Sequence, residues 1–253
     1  MLCLIPVVLL FRTAWPKTRA EFGHLAVVGL LMHAVQLGGS HYAQYLGMSA
    51  GAAALIISCQ PLFTAIIAYR FLEEKIRPGQ WIGVALGLAG VALVVWHKID
   101  IREVGAASLL CTAIALAGVT AATLYQKSFV PRVDLKAASL IQFAVALAVF
   151  APLGMFFENF EFTFSIQLLS SIVFLVIFTS ILGVSALYVL LRHGEATRVT
   201  GMMYLPPVIA VVLELAMFGV LPGTVALFGI AIACAGVAMT VWSGRWKSSI
   251  SSR

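Results

Sequence analysis

Charge is what this chain has least of. Of its 253 residues only 10% are charged, against about 25% in an ordinary soluble domain. Hydrophobic residues make up 62%, and the mean hydropathy is +1.04. Such a chain cannot be wrapped as a water-soluble globule, so lipid must be its solvent. Cysteine is also scarce. Cys3, Cys59, Cys111 and Cys234 all lie inside apolar segments, with no C-x-x-C and no Cys/His ligand cluster. That argues against a disulfide framework and against a metal site. No H-E-x-x-H, G-x-S-x-G or Walker loop occurs, and no carboxylates stand paired at catalytic spacing. The Arg192-His193-Gly194 triplet is similar to that of histidine phosphatases, but no soluble α/β domain surrounds it. It reads as a charged cytoplasmic turn. The expectation is therefore no enzyme, no cofactor and no metal. The formal charge of +6 sits in short loops and is no sign of nucleic-acid binding.

What is present is a series of apolar runs. Crossing the hydrocarbon takes about twenty residues. The runs predict full spans near 22–46, 49–71, 79–97, 104–126, 137–157, 166–191, 197–218 and 223–243. An opening fragment, Met1 to about Ala14, is too short to span and is expected to be the second half of a span. The fold class expected is an all-α polytopic membrane protein with short connections.

A repeat organises these spans. Ala50 to Trp96 returns, shifted by 146 residues, as Ala196 to Trp242. Pro61 falls on Pro207, Gly83 on Gly229, Gly90 on Gly236 and Trp96 on Trp242. From Gly83 to Trp96, eight of fourteen positions are identical. A fixed internal period of this kind signals duplicated structure. The copy begins five spans after the original, and an odd number of crossings inverts it. The loop charges agree with that. Fourteen of the sixteen Lys and Arg residues fall on one side of the predicted topology, leaving Lys98 and Arg102 on the other. The positive-inside rule then puts the C-terminus in the cytoplasm. The first turn, Glu73-Glu74-Lys75-Ile76-Arg77, keeps its basic residues. The equivalent Gly219-Val220-Leu221-Pro222-Gly223 has none.

The pattern Ala-x-x-Ala-x-x-x-x-x-x-x-Pro, a turn with Glu73, then Gly83 and Gly90 before an apolar end, resembles the EamA-type domain. The resemblance is to the drug/metabolite transporter superfamily and covers nearly the whole chain. It implies an inverted repeat of helical bundles, five plus five, here about nine spans including the N-terminal fragment. Measured against that pattern, the first transmembrane helix and the start of the second are expected to be absent from this sequence, with a late start codon as the simplest expected explanation. Residues 1–97 are then a shortened first repeat, 104–243 the second, and 244–253 a cytoplasmic tail. The implied activity is secondary active transport, with export of a small metabolite, amino acid or drug-like solute by alternating access. The implied location is the bacterial inner membrane, multi-pass. The partners implied are a small-molecule substrate and the lipid bilayer. Two alternatives stay open: a membrane-embedded enzyme acting on lipid head groups, and a non-transporting scaffold or partner subunit.

Candidate site residues follow from polarity inside the spans. His33, Gln36, Ser40 and Gln44 are spaced three, four and four apart. At 100° per residue they share one face of a regular helix. Such a stripe should face the protein interior and serve as a hydrogen-bonding cavity wall, or bond other helices with no ligand. Tyr188 and Tyr204 could add a ring and a hydroxyl to substrate, or simply pack. Glu214 is the one carboxylate well inside a span, a candidate for proton coupling alongside His33. Pro61, Pro206 and Pro207 each remove an intrahelical hydrogen bond and should kink their spans. Gly83, Gly87 and Gly90, echoed by Gly229, Ala233 and Gly236, suit close helix contacts, either as internal scaffold or in a homodimer.

Overall fold

The structure, a computed structural model, describes residues 13–96, 105–130, 133–157, 164–176, 182–183, 186, 189–190, 196–219 and 221–242. Among these residues every regular element is helical. Six helices are long and apolar enough to cross a membrane: Arg19–Tyr45, Ala50–Phe71, Pro78–Val95, Ala106–Phe129, Lys136–Phe157 and Thr224–Trp242. These match the expected spans to within a few residues. The chain is an all-α polytopic membrane protein. The expected span 166–191 is described only in part, beginning with a helix at Ile166–Phe174. Residues 1–12 of the opening fragment and the tail beyond 242 lie outside the described residues.

The chain divides into two compact units, residues 1–38 with 121–193, and residues 39–120 with 194–253. Both copies of the repeated stretch, 50–96 and 196–242, fall in the second unit.

The first unit starts with α1, Arg19–Gly29. Thr18 caps it: its Oγ1 accepts from the Glu21 amide at 3.1 Å, while the Glu21 carboxylate accepts from the Thr18 amide. This reciprocal box satisfies amide groups that a helix start leaves free. The helix then loosens into one π-helical turn, Leu30–Val35, and continues as α2, Gln36–Tyr45. α7, Leu135–Phe157, packs along both α1 and the π turn. Gly29 makes this approach possible. A β-carbon there would lie 2.7 Å from Gln142 Cα and 2.8 Å from its carbonyl oxygen. At the charged end of the unit, His24 Nδ1 and the Tyr125 hydroxyl stand 2.7 Å apart, and Phe129 stacks on the His24 ring.

The second unit is built on α5, Pro78–Val95, and α11, Thr224–Trp242. Their glycines face one another. A β-carbon on Gly83 would lie 2.7 Å from both Gly236 O and Thr240 N. One on Gly229 would lie 2.7 Å from both Gly90 O and Val94 N. Low numbers on α5 meet high numbers on α11, so the two helices run antiparallel. Shifting each residue by 146 turns the first set of contacts into the second. The helix pair therefore has a local two-fold relation, and its small faces cover each other within one chain. In lipid, where no hydrophobic force drives helices together, such close backbone packing is what holds them.

The remaining helices of this unit are α3, Ala50–Ile57; α4, Gln60–Phe71; α6, Ala106–Phe129, which runs on into the first unit; α9, Ala196–Gly201; and α10, Leu205–Phe218. α8 is the helix Ile166–Phe174 of the first unit. α3 buries Ala52 and Ala53 against Ala43 and Met48, with Ile56 and Cys111 alongside. α9 packs on α4 and on both scaffold helices.

Candidate functional site

In the first unit the site begins with the π turn. A π turn widens the hydrogen-bond step from four residues to five, and such turns occur mostly at functional positions. Here the Gln36 amide donates to Leu31 O across that longer step. His33 sits inside the turn and is 4% exposed. The Phe143 ring lies against it, centroids 4.6 Å apart. Gln142 precedes Phe143 on α7. Gln142 is itself fully buried and donates to Gln126 Oε1 at 3.1 Å. His33 Nε2 has no hydrogen-bond partner among the described residues, and neither has the Ser139 hydroxyl one turn before Gln142. Leaving a buried polar atom unpaired costs about 1–3 kcal/mol. An interhelical hydrogen bond in a membrane returns only about 0.6 kcal/mol on average. An ionisable residue inside a membrane is by default a functional-site candidate.

The π turn also changes the stripe read from spacing. The regular 100° step does not hold between His33 and Gln36. Gln36 and Ser40 are half-buried, and Gln44 is exposed. The Gln44 amide turns back onto its own helix, donating to Ser40 O at 3.4 Å. His33 and Gln36 belong to the first unit, Ser40 and Gln44 to the second.

The second unit holds a pair of broken helices. α3 stops at Ile57, Ser58 and Cys59 form a turn, and α4 restarts with Pro61 in its first turn. The Ser58 hydroxyl closes back on Ala54 O at 2.7 Å. Ile57 O would receive its helical bond from residue 61, and proline has no N–H to give. The Leu62 amide goes instead to Cys59 O at 3.0 Å. In the second copy, α9 ends at Gly201, a 3₁₀ turn covers Met202–Tyr204, and α10 starts with Pro206 and Pro207 in its first turn. The shift of 146 puts Ser58 on Tyr204, so both breaks fall at equivalent positions. Tyr204 is fully buried in a cluster with Val91 and Val237. Its ring lies directly over Gly87, where a β-carbon would overlap it. The Tyr204 hydroxyl has no partner among the described residues; nor has that of Thr64, buried one turn into α4.

Two sequence-predicted residues fall outside this picture. Tyr188 lies outside the described residues, and so does the side chain of Glu214 on α10. Among the described residues no group of His, Cys, Asp and Glu could hold a metal ion. Thr112 and Thr120 bond back to their own helix, at 2.9 Å to Ser108 O and 2.7 Å to Leu116 O. Sequence reasoning missed Gln126, Gln142, Ser139 and Thr64. The first two were the legible ones, being lone amides in apolar helices.

Residues 1–96 and 105–242 match the EamA-like transporter family. The chain belongs to that family. It is 26% identical over 195 residues to the "Uncharacterized inner membrane transporter YedA" of Escherichia coli, covering 77% of this chain and 62% of YedA. It is 28% identical over 193 residues to the "Probable terminal-alkyne amino-acid exporter" of Streptantibioticus cattleyicolor, covering 74% of this chain and 63% of that protein. The chain thus spans less than two thirds of the length of these relatives. A solved crystal structure superposes with a TM-score of 0.70 over 89% of both chains at 17% identity, a likeness of fold. As an EamA-like protein the chain is a multi-pass membrane protein.

Proposed function

We propose that this EamA-like chain acts as a secondary active transporter. It exports a small metabolite, amino acid or drug-like solute by alternating access of two inverted repeats, residues 1–97 and 104–243. The observation that carries the reading is the twin helix break at positions related by the repeat. Broken helices expose backbone carbonyls that lipid cannot satisfy, so they occur where protein or a solute-bearing cavity covers them. In transporters built from inverted repeats they line the binding site. His33, Gln36, Ser40 and Gln44, with Tyr188 and Tyr204, are the side chains proposed to meet the solute. Pro61, Pro206 and Pro207 set the breaks. An amino acid is the favoured solute class, because one relative bears the name of an amino-acid exporter.

Proton exchange is the proposed driver, with Glu214 as carrier and His33 as the other candidate. A carboxylate within a span is a residue type that proton relays use. The test is flux in proteoliposomes under an imposed pH gradient, across the twenty protein amino acids and a drug panel. At least one solute should move, and a Glu214→Gln variant should bind it yet lose gradient-driven flux. Silence across the whole panel contradicts transport. Full flux in Glu214→Gln removes that residue from the coupling.

A further inference from the structure

Buried threonines in these helices commonly bond back to their own backbone. Thr112, Thr120 and Thr240 each donate to the carbonyl oxygen four residues before. That bond satisfies a hydroxyl without help from a neighbouring helix. Thr64 and Tyr204 do otherwise. Both are fully buried, and neither hydroxyl has a partner among the described residues. Each belongs to a helix break of the second unit. Thr64 lies one turn into α4, on the buried face it shares with Gln60, Pro61, Ala65 and Ala68. Side chains on a helix lean toward its N-terminus, so Thr64 leans toward the break. Tyr204 stands at the N-cap of α10.

The two helix starts share a second property. Thr18, Ser49 and Ser165 cap the starts of α1, α3 and α8. α4 and α10 have no side-chain cap and no acidic residue in the first turn. The positive end of each helix dipole is thus not answered by a side chain at its own start, and such an end favours an anion. The backbone amides after the breaks are missing or taken. Pro61, Pro206 and Pro207 have none. The Leu62 and Phe63 amides donate to Cys59 O, and the Leu205 amide donates to Met202 O. The hydroxyls of Thr64 and Tyr204 are the donors that remain. The breaks also share neighbours. α9, which runs up to the second break, packs on α4, and α5 packs on both α4 and the 3₁₀ turn.

We infer that Thr64 and Tyr204 donate hydrogen bonds to a carboxylate of the exported solute, held between the two helix starts. The inference rests on the transporter reading and narrows it to solutes that carry a carboxylate.

Ligand-induced thermal shifts of the full chain in detergent test it. The probes are the protein amino acids, each paired with the amine left when its carboxylate is removed, such as 3-methylbutylamine for leucine. At least one amino acid should raise the unfolding midpoint, and its amine should not. Thr64→Val and Tyr204→Phe keep the side-chain shape and remove the hydroxyl. Each should weaken binding about tenfold or more, while Thr64→Ser should bind as the wild type does. An amine that stabilises as well as its amino acid overturns the proposal, and that comparison needs no variant to fold. So does unchanged affinity in either hydroxyl variant, or a failure of every amino acid to bind. Binding without flux in proteoliposomes would sink transport and leave the carboxylate site standing. Equal flux of an amino acid and its amine would sink the site and leave transport standing.

Discussion

Glu73 stands in a conformation made for glycine. Its φ is +53°, and Gly219, its repeat equivalent, has φ +67° at the end of α10. Both close the helix that follows a break. A left-handed residue with a β-carbon costs about 1–2 kcal/mol, and glycine gives back about 0.5–1 kcal/mol of that in backbone entropy. Replacing Glu73 by Gly should therefore stabilise the fold by roughly half to one kcal/mol. Thermal unfolding in detergent should show a midpoint raised by about 2–4 °C per kcal/mol. A lowered midpoint would mean that the Glu73 side chain is held by something worth more than the strain. At this scale the sequence was only partly readable. Glu73 and His33 stand out by type, and the shared left-handed turn could be suspected from Gly219. The Gln126–Gln142 hydrogen bond could not. Gln126 and Gln142 lie sixteen residues apart on different helices, and only the packing of α7 joins them to α1.

Helix pairs carry the next level. Gly90 lies so close to α11 that a β-carbon would overlap the Ala233 amide and sit 2.7 Å from Gly229 O. Those neighbours are backbone and cannot swing aside. Gly90→Val should force the helices apart at a cost of about 1–3 kcal/mol. A fall in the detergent unfolding midpoint checks this, with Gly23→Val as the control, since a β-carbon at Gly23 meets nothing within 4 Å. Equal midpoints for the two variants would contradict the packing. The glycine pattern was legible because it occurs twice at the same spacing. The lengths of the spans were legible because lipid thickness sets them. The π turn was not, because a spacing argument assumes one constant helical step, and Leu30–Val35 does not keep it. Nor was the seat of the Tyr204 ring on Gly87, a contact between elements more than a hundred residues apart.

At the scale of the whole chain, one relation recurs. The offset of 146 links Gly83 with Gly229, Ser58 with Tyr204 and Glu73 with Gly219. It also exchanges the contacts between α5 and α11. Antiparallel scaffold helices from equivalent positions are what a hairpin and its inverted copy would provide. The repeat was readable in the sequence because identities survive where backbones touch and side chains must stay small. The content of the polar interior was less readable, because polar side chains there answer to their tertiary neighbours, not to helix period. The proposed transport mechanism depends on topology: one hairpin, used twice, would cross the bilayer in opposite senses. Single cysteines at Lys75 and Leu221, in a background freed of Cys3, Cys59, Cys111 and Cys234, test it with a membrane-impermeant thiol reagent on intact cells. Leu221→Cys should be labelled from outside and Lys75→Cys only after the membrane is opened. Labelling of both from the same side would contradict the inverted repeat and, with it, the proposed mechanism.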